Sequence, residues 1–243
     1  MRALILSDIH SNLEALEAVL DNAEDRGGFD EIWCLGDFVG YGPDPGSSLE
    51  LVRRYGLVAV AGNHDYGAVG KASIDDFNDA AKAALHWTAG QLSAAEADFL
   101  AGLPTVATAG SFTLVHGSLR DPLFEYLLNQ ESAQATLSLL ATPFCLVGHS
   151  HLAFICREDG GLPLFCEFTE DQEFPLGEER CIINPGCVGQ PRDRDPRPSY
   201  AIYDSQAQTI QRRRVTYEIH ATQEKMRRAR LPQYLVERLA QGV

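Results

Sequence analysis

Ala3-Leu4-Ile5-Leu6-Ser7-Asp8-Ile9-His10 begins with four apolar residues in a row and turns polar within two positions. An apolar run of this length, closed by polar residues, is the pattern of a strand buried on both faces. The shape returns twice. Glu31 to Leu35 is a second strand ending in Gly36-Asp37, and Leu57 to Ala61 is a third ending in Gly62-Asn63-His64-Asp65. Leu13, Leu16, Val19, Leu20 and Ala23 recur at helical spacing until Gly27-Gly28 stops the helix. Ser47 to Arg54 suits another helix. Strand, helix, strand, helix, strand at this spacing predicts a βαβαβ unit with parallel pairing.

Asp75 to Gly90 and Ser93 to Leu100 are predicted helices, the second opened by the capping box Ser93-x-x-Glu96. The second half is strand-rich: Thr105–Ala109, Phe112–Val115, Phe144–Val147, Ala153–Arg157, Leu162–Phe168, Arg180–Ile183, Tyr200–Asp204 and Thr209–Val215. A helix around Ser132–Leu140 falls among them, and Ala221–Leu239 is helical with a break at Pro232. The expectation is one α/β domain over residues 1–243, with sheets of mixed strand direction and no linker or repeat. The helices of residues 66–103 form either a cap over a site or an outer layer of that domain.

The 243 residues carry a formal charge of −14, with 45% apolar and 22% charged residues. Such a composition excludes wholesale disorder. No apolar run approaches the roughly 18 residues that a membrane span needs. The opening apolar run stops after Leu6, too soon for a signal peptide core, so a cytoplasmic protein is expected. Before Arg192 there are 9 basic and 28 acidic residues, and from Arg192 onward 11 and 6. So acidic a surface repels phosphate backbones and argues against broad duplex binding. Arg212-Arg213-Arg214 is expected to be a solvated strand edge. The six cysteines, Cys34, Cys145, Cys156, Cys166, Cys181 and Cys187, make no C-x-x-C pair and sit in apolar surroundings. They are expected to be buried free thiols in a reducing compartment rather than disulfides.

Five strand ends carry the polar chemistry: Asp8-Ile9-His10, Gly36-Asp37, Gly62-Asn63-His64-Asp65, His116-Gly117 and Gly148-His149-Ser150-His151. Five of the seven histidines lie in these turns. In open α/β sheets, sites form just outside the carboxyl ends of strands, so five distant segments can converge on one rim. Asp, Asn and His, with no thiolate among them, suit Mn, Fe, Zn, Ni or Co ions. Asp8 and His10, two apart, can aim at a single ion; His149 and His151 can do the same or divide between two. Asp37 can bridge a pair. Each piece alone is better explained as a turn or cap; together and in order they point to a dimetal centre.

The ordered set resembles the calcineurin-like metallophosphoesterases. Their blocks appear as Asp8-Ile9-His10, Gly36-Asp37-Phe38-Val39-Gly40, Gly62-Asn63-His64-Asp65, Val115-His116-Gly117 and Gly148-His149-Ser150-His151. Asn184-Pro185-Gly186-Cys187-Val188-Gly189-Gln190-Pro191-Arg192 resembles a segment of the small bacterial and archaeal phosphodiesterase branch, with Cys187 where serine is usual. The resemblance implies a four-layer α/β/β/α sandwich of two mixed sheets flanked by helices, with the dimetal site at the strand C-terminal rim. It implies two divalent or trivalent transition-metal ions, manganese first. Asp8, His10 and His151 would hold one ion, and Asn63, His116 and His149 the other. Asp37 would bridge them. His64 would face the leaving group or a phosphoryl oxygen, with Asp65 orienting it. A water activated between the ions would attack phosphorus in line.

Three further residues are candidates for substrate contact. Asn12 suits phosphate or, equally, a helix cap. Tyr41 suits stacking on an aromatic group, or a rigid Gly/Pro turn. Arg192 suits a substrate phosphate unless Asp193 or Asp195 occupies it. The expected activity is hydrolysis of small phosphate diesters. The alternatives are a phosphomonoesterase, protein phosphatase or dinucleoside tetraphosphate hydrolase. A non-enzymatic scaffold is disfavoured, because every ligand position and His64 are filled.

Overall fold

The computed structural model describes all 243 residues. In chain order the elements are β1 (Arg2–Leu6), α1 (Leu13–Asp25), β2 (Glu31–Cys34), α2 (Pro45–Val52), β3 (Leu57–Ala59), α3 (Asn63–Ala68), α4 (Asp79–Ala89) and α5 (Ala94–Gly102). The second half contains β4 (Val106–Ala109), β5 (Phe112–Val115), α6 (Gln130–Leu139), β6 (Phe144–Leu146), β7 (Phe154–Asp159), β8 (Leu162–Cys166), β9 (Glu173–Pro175) and β10 (Cys181–Asn184). The chain closes with β11 (Ser199–Asp204), β12 (Thr209–Arg214), α7 (Ile219–Arg228) and α8 (Gln233–Arg238).

Twelve strands form two six-stranded sheets, ordered β3-β2-β1-β11-β12-β9 and β4-β5-β6-β10-β7-β8. Both are mixed. β1, β2 and β3 run parallel, as do β5, β6 and β10, while β11 and β7 join antiparallel. The alternating side chains explain the layering. Ala3, Ile5, Trp33, Leu35, Ala201 and Tyr203 of the first sheet face Phe112, Leu114, Phe144, Leu146 and Ile183 of the second. The opposite set, Leu4, Leu6, Ile32, Cys34, Tyr200 and Ile202, packs with the α1 and α2 residues Leu16, Val19, Leu49 and Val52. On the far side, Val115, Cys145, Cys156 and Ile182 pack with Ala133 and Leu137 of α6. The central strands of both sheets are thus covered on both faces. That is why β1, β5, β6 and β10 are nearly unbroken apolar runs, while the outer strands β4, β8 and β9 keep exposed positions and β12 half-buried ones, and why the chain forms an α/β/β/α sandwich.

Two elements fell outside the sequence pattern. The Gly62–Asp65 turn continues into α3, six residues whose first turn is closed by the Asp65 carboxylate accepting the Gly62 amide. β9 is three residues long and pairs only with β12. That pairing corrects the expectation for the arginine triplet. β12 lies between β11 and β9, so it is no edge, and Arg212 and Arg214 are only 8% and 7% exposed. Asp193 makes this possible by pairing with both guanidiniums. All six cysteines are free, five of them buried. No helix is long and apolar enough to cross a membrane.

Candidate metal centre

The parallel strands β1, β2, β3, β5 and β6 end on one rim, and the two sheets are laced together there by the backbone. The Asp8 and His10 amides donate to the Gly36 and Asp37 carbonyls, at 3.1 and 2.9 Å. From the β10–β11 loop, the Val188 and Gly189 amides donate to the Ser7 and Asp8 carbonyls, at 3.0 and 2.9 Å. The Gly148 amide donates to the His116 carbonyl at 2.8 Å. Turning sharply enough to aim side chains inward forces unusual backbone. Asp8, His10, Asp37, His149 and His151 all have φ between 49° and 63°. Each such non-glycine residue costs on the order of 1 kcal/mol, and strain of this kind concentrates at functional sites. Gly62 is required for space: a Cβ there would collide with the Asp37 carboxylate.

The side chains converge as two sets. In the first, His10 Nε2 and His151 Nε2 lie 3.2 Å apart, and Asp8 Oδ1 is 3.3 Å from His151 Nε2. In the second, His116 Nε2 lies 3.1 Å from both Asn63 Oδ1 and His149 Nδ1. Asp37 Oδ2 reaches both, 3.6 Å from His10 Nε2 and 3.4 Å from His116 Nε2. All seven residues are buried.

The far nitrogen of each ring fixes what the near one presents. His10 Nδ1 faces the Val39 carbonyl, His116 Nδ1 that of Leu35, His149 Nε2 that of Phe124 and His151 Nδ1 that of Gln190, at 2.6–3.1 Å. A carbonyl only accepts, so each of these ring nitrogens carries the proton. Burial, chiefly, pushes His10 and His151 well below the usual histidine range, so both are neutral. Their Nε2 atoms are then two lone pairs facing each other at 3.2 Å. Asp8 Oδ1 beside them is buried with no hydrogen-bond partner. Acceptors converging on acceptors, without a donor, are costly unless a cation lies among them. The donor set therefore fits a metal ion, and the second set, with an amide oxygen and two imidazoles, fits another.

Protonation adds a testable consequence. Burial, and then the Asp37 charge, pushes the Asp8 carboxyl up to about 7. Burial disfavours a charged His116, but the Asp37 carboxylate outweighs it and lifts His116 to about 9. Near pH 7 a cation must therefore displace protons from both positions. Apparent metal affinity is expected to rise with pH between about 6 and 8, by about tenfold per pH unit for each proton displaced. Titrating the metal-stripped protein with Mn²⁺ at several pH values measures the slope; a flat profile would contradict it.

His64 sits at the pocket wall, its ring against those of His10, Tyr41 and Phe77. Burial, chiefly, lowers its pKa to about 4, so it is neutral. Asp65 does not orient it. The Asp65 carboxylate accepts the amides of Asp37, Gly62 and Val39, at 2.8, 2.9 and 3.2 Å, and leaves His64 Nδ1 without a partner. The reason is geometric: as the third residue of α3, Asp65 caps its own helix start and clamps the loop that carries Asp37. Asp65→Asn places an amide donor against these N–H groups and leaves at least one unpaired, a loss of about 1–3 kcal/mol. A Tm lower by roughly 2–12 °C is expected. An unchanged Tm in differential scanning calorimetry would contradict the clamp.

The three substrate candidates fare differently. Asn12 is committed elsewhere: it caps α1 through the Ala15 amide and donates to the Gly189 carbonyl and the Tyr217 hydroxyl. Tyr41 is only 6% exposed, wedged against His10 and His64, with little face left for stacking. Arg192 does line the pocket. Sequence reasoning missed Phe124 and Tyr126, which lie in an irregular loop without periodicity. Tyr126 stacks on His149 at 4.1 Å with a 9° angle between planes, and both residues line the mouth. Cys187 fills the usual serine position. Its Sγ lies 3.2 Å from the Asp8 carbonyl and accepts the Gln190 amide.

A calcineurin-like phosphoesterase superfamily domain model matches residues 1–208. The chain belongs to that superfamily. An uncharacterized protein of Methanocaldococcus jannaschii is 38% identical over 98% of this chain and 97% of its own length. A metallophosphoesterase from Sphaerobacter thermophilus superposes with a TM-score of 0.91 at 46% identity, over 100% of this chain and 99% of that one. A symmetrical bis(5'-nucleosyl)-tetraphosphatase of Vibrio cholerae is 30% identical over 149 residues, 59% of this chain and 54% of that protein.

Proposed function

We propose that this member of the superfamily is a dimetal phosphohydrolase acting on small phosphate diesters of the nucleotide type, in the cytoplasm. The supporting observation is the convergence of Asp8, His10, Asp37, Asn63, His116, His149 and His151, their ligand-type atoms 3.1–3.6 Å apart, beneath a cavity of about 290 Å³. A cavity of that size suits a small molecule rather than a folded protein or a duplex. Phe77 and Ala81 line it, so the segment entering α4 covers part of the site, while Phe99, Leu100 and Leu103 pack on the first core as an outer layer.

Asp8, His10 and His151 would hold one ion and Asn63, His116 and His149 the other, with Asp37 in reach of both sets. Bound ions supply positive charge to a phosphoryl oxygen and lower the pKa of water at the site; manganese is the favoured pair. The chain's own groups do the rest. The four carbonyl-anchored rings hold their lone pairs inward. His64, being neutral, donates a hydrogen bond to a phosphoryl oxygen rather than giving up a proton. Phe77, Phe124 and Tyr126 exclude water around the reacting group.

The test is to strip the protein with chelator, restore Mn²⁺, and compare bis-p-nitrophenyl phosphate with p-nitrophenyl phosphate. Metal-dependent turnover favouring the diester is expected. Preference for the monoester would replace the reading with a phosphatase. A second reading, dinucleoside tetraphosphate hydrolysis, is favoured by the likeness to the V. cholerae enzyme. Turnover of diadenosine tetraphosphate with no turnover of the diester would establish it instead.

A further inference from the structure

We infer that Arg192 forms a subsite for a second phosphate, so that the preferred substrate carries another phosphate joined to the scissile one. The inference rests on the phosphoesterase reading above and concerns the same pocket. It starts from charge pairing. The loop after β10 presents Arg192, Asp193, Asp195 and Arg197 together. Asp193 is taken by Arg212 and Arg214, and Asp195 by Arg197 at 2.7 Å. Arg192 is left over. Its acceptors are the neutral Tyr41 hydroxyl and Gln190 Oε1, both at a long 3.5 Å, and its Nε is buried without any partner. A guanidinium stripped of much of its water needs an anionic acceptor, and two long neutral contacts do not provide one.

Position turns this vacant cation into a recognition element. Arg192 is the one basic residue among the pocket's lining, beside His64, His149 and His151. Its neighbour Tyr41 packs between the His10 and His64 rings, at 4.6 and 4.4 Å, so Arg192 lies beside the clustered side chains. The lining carboxylate outside the ligand set, Asp76, comes from the segment before α4. The anion is therefore drawn to the β10–β11 side.

The ligand chemistry follows. A planar guanidinium with free N–H groups matches two oxygens of a phosphate in a fork. A simple diester has its one phosphate at the ligand cluster and leaves Arg192 unmatched. A diphosphate or longer chain supplies the second anion. In hydrolysis, water adds to the scissile phosphorus, its bond to the leaving oxygen breaks, and that oxygen keeps the electron pair and takes up a proton. No co-reactant is needed.

The experiment compares bis-p-nitrophenyl phosphate with P1,P2-bis(p-nitrophenyl) diphosphate, which differs by the added phosphate. Wild type, Arg192→Gln and Arg192→Lys are assayed with saturating Mn²⁺. Wild type is expected to prefer the diphosphate in kcat/KM. Arg192→Gln is expected to lower that preference by about tenfold to a hundredfold, mainly through KM, and Arg192→Lys to restore part of it. Binding of methylenediphosphonate, measured by calorimetry on the same proteins, is expected to weaken at least tenfold in Arg192→Gln. Normal diester turnover with an unchanged preference in Arg192→Gln would overturn the subsite and leave the phosphoesterase standing. Absence of all turnover would overturn the phosphoesterase, and the diphosphonate titration would still decide Arg192: equal binding by wild type and variant rejects it.

Discussion

Asp37→Asn is expected to lower kcat/KM for a phosphate diester by about a thousandfold or more, and to cut the bound metal from two ions per chain to one or none. Asp37 Oδ2 is the one atom within 3.6 Å of both ligand sets. Its other oxygen, Oδ1, accepts the His64 amide at 2.9 Å. Burial favours protonation, but the His116 charge and its hydrogen bond outweigh it and hold the carboxyl well below its usual range, so it is an anion at working pH. Asparagine keeps the shape and removes that charge, and its NH2 group turns one acceptor into a donor. The chain should still fold, because the Asp37 side chain lies at the rim rather than in the inter-sheet core. Metal analysis by emission spectroscopy, run beside the kinetics, separates the two effects. Full metal content with full activity would contradict the bridging role.

His64→Asn is expected to lower kcat by about a hundredfold to ten-thousandfold while leaving metal content intact. The diagnostic readout is the dependence on leaving group. A neutral imidazole with a pKa near 4 is a hydrogen-bond donor, because losing its remaining proton would make an imidazolate. Bound cations press in the same direction. The loss should then be similar for p-nitrophenyl and for more basic alkyl leaving groups. A loss that grows steeply as the leaving group becomes more basic would instead identify His64 as the acid that protonates it. Loss of metal in this variant would make it a ligand, a real alternative geometrically, since a His64 nitrogen lies within 4.8 Å of the His10 and Asp37 ligand atoms.

Much of this architecture was written in short apolar runs. β1, β2 and β3 were legible because burial on both faces leaves no polar position inside them, and Phe112–Val115 emerged with its observed bounds. The convergence of the Asp, Asn and His side chains was legible because polar residues clustered where those runs stop. What stayed hidden depends on contacts made across the fold. Nothing local in Glu173–Pro175 marks a strand; it is one because β12 offers it a partner. Arg212 and Arg214 resembled a solvated edge because their counter-ion, Asp193, lies about twenty residues away. Asp65 follows His64 in sequence, yet its oxygens face the Asp37 loop, a direction set by the helix start and not by adjacency. Tyr126, 49% exposed and stacked on His149, sits in a loop whose sequence carries no period.

The four ring anchors, the carbonyls of Val39, Leu35, Phe124 and Gln190, belong to the main chain. Every residue has a carbonyl, so no point substitution can delete one of these acceptors. In many metal centres the equivalent partner is an aspartate or glutamate that a single codon change removes. Here Val39, Phe124 and Gln190 can drift to other residues while the imidazoles keep their tautomers, provided the loop path survives. Phe124 and Gln190 lie beside the residues that face substrate. The inheritance of the metal site is thereby uncoupled from the sequence of the loops that shape selectivity, and a lineage can exchange one phosphate ester for another without first losing its ions.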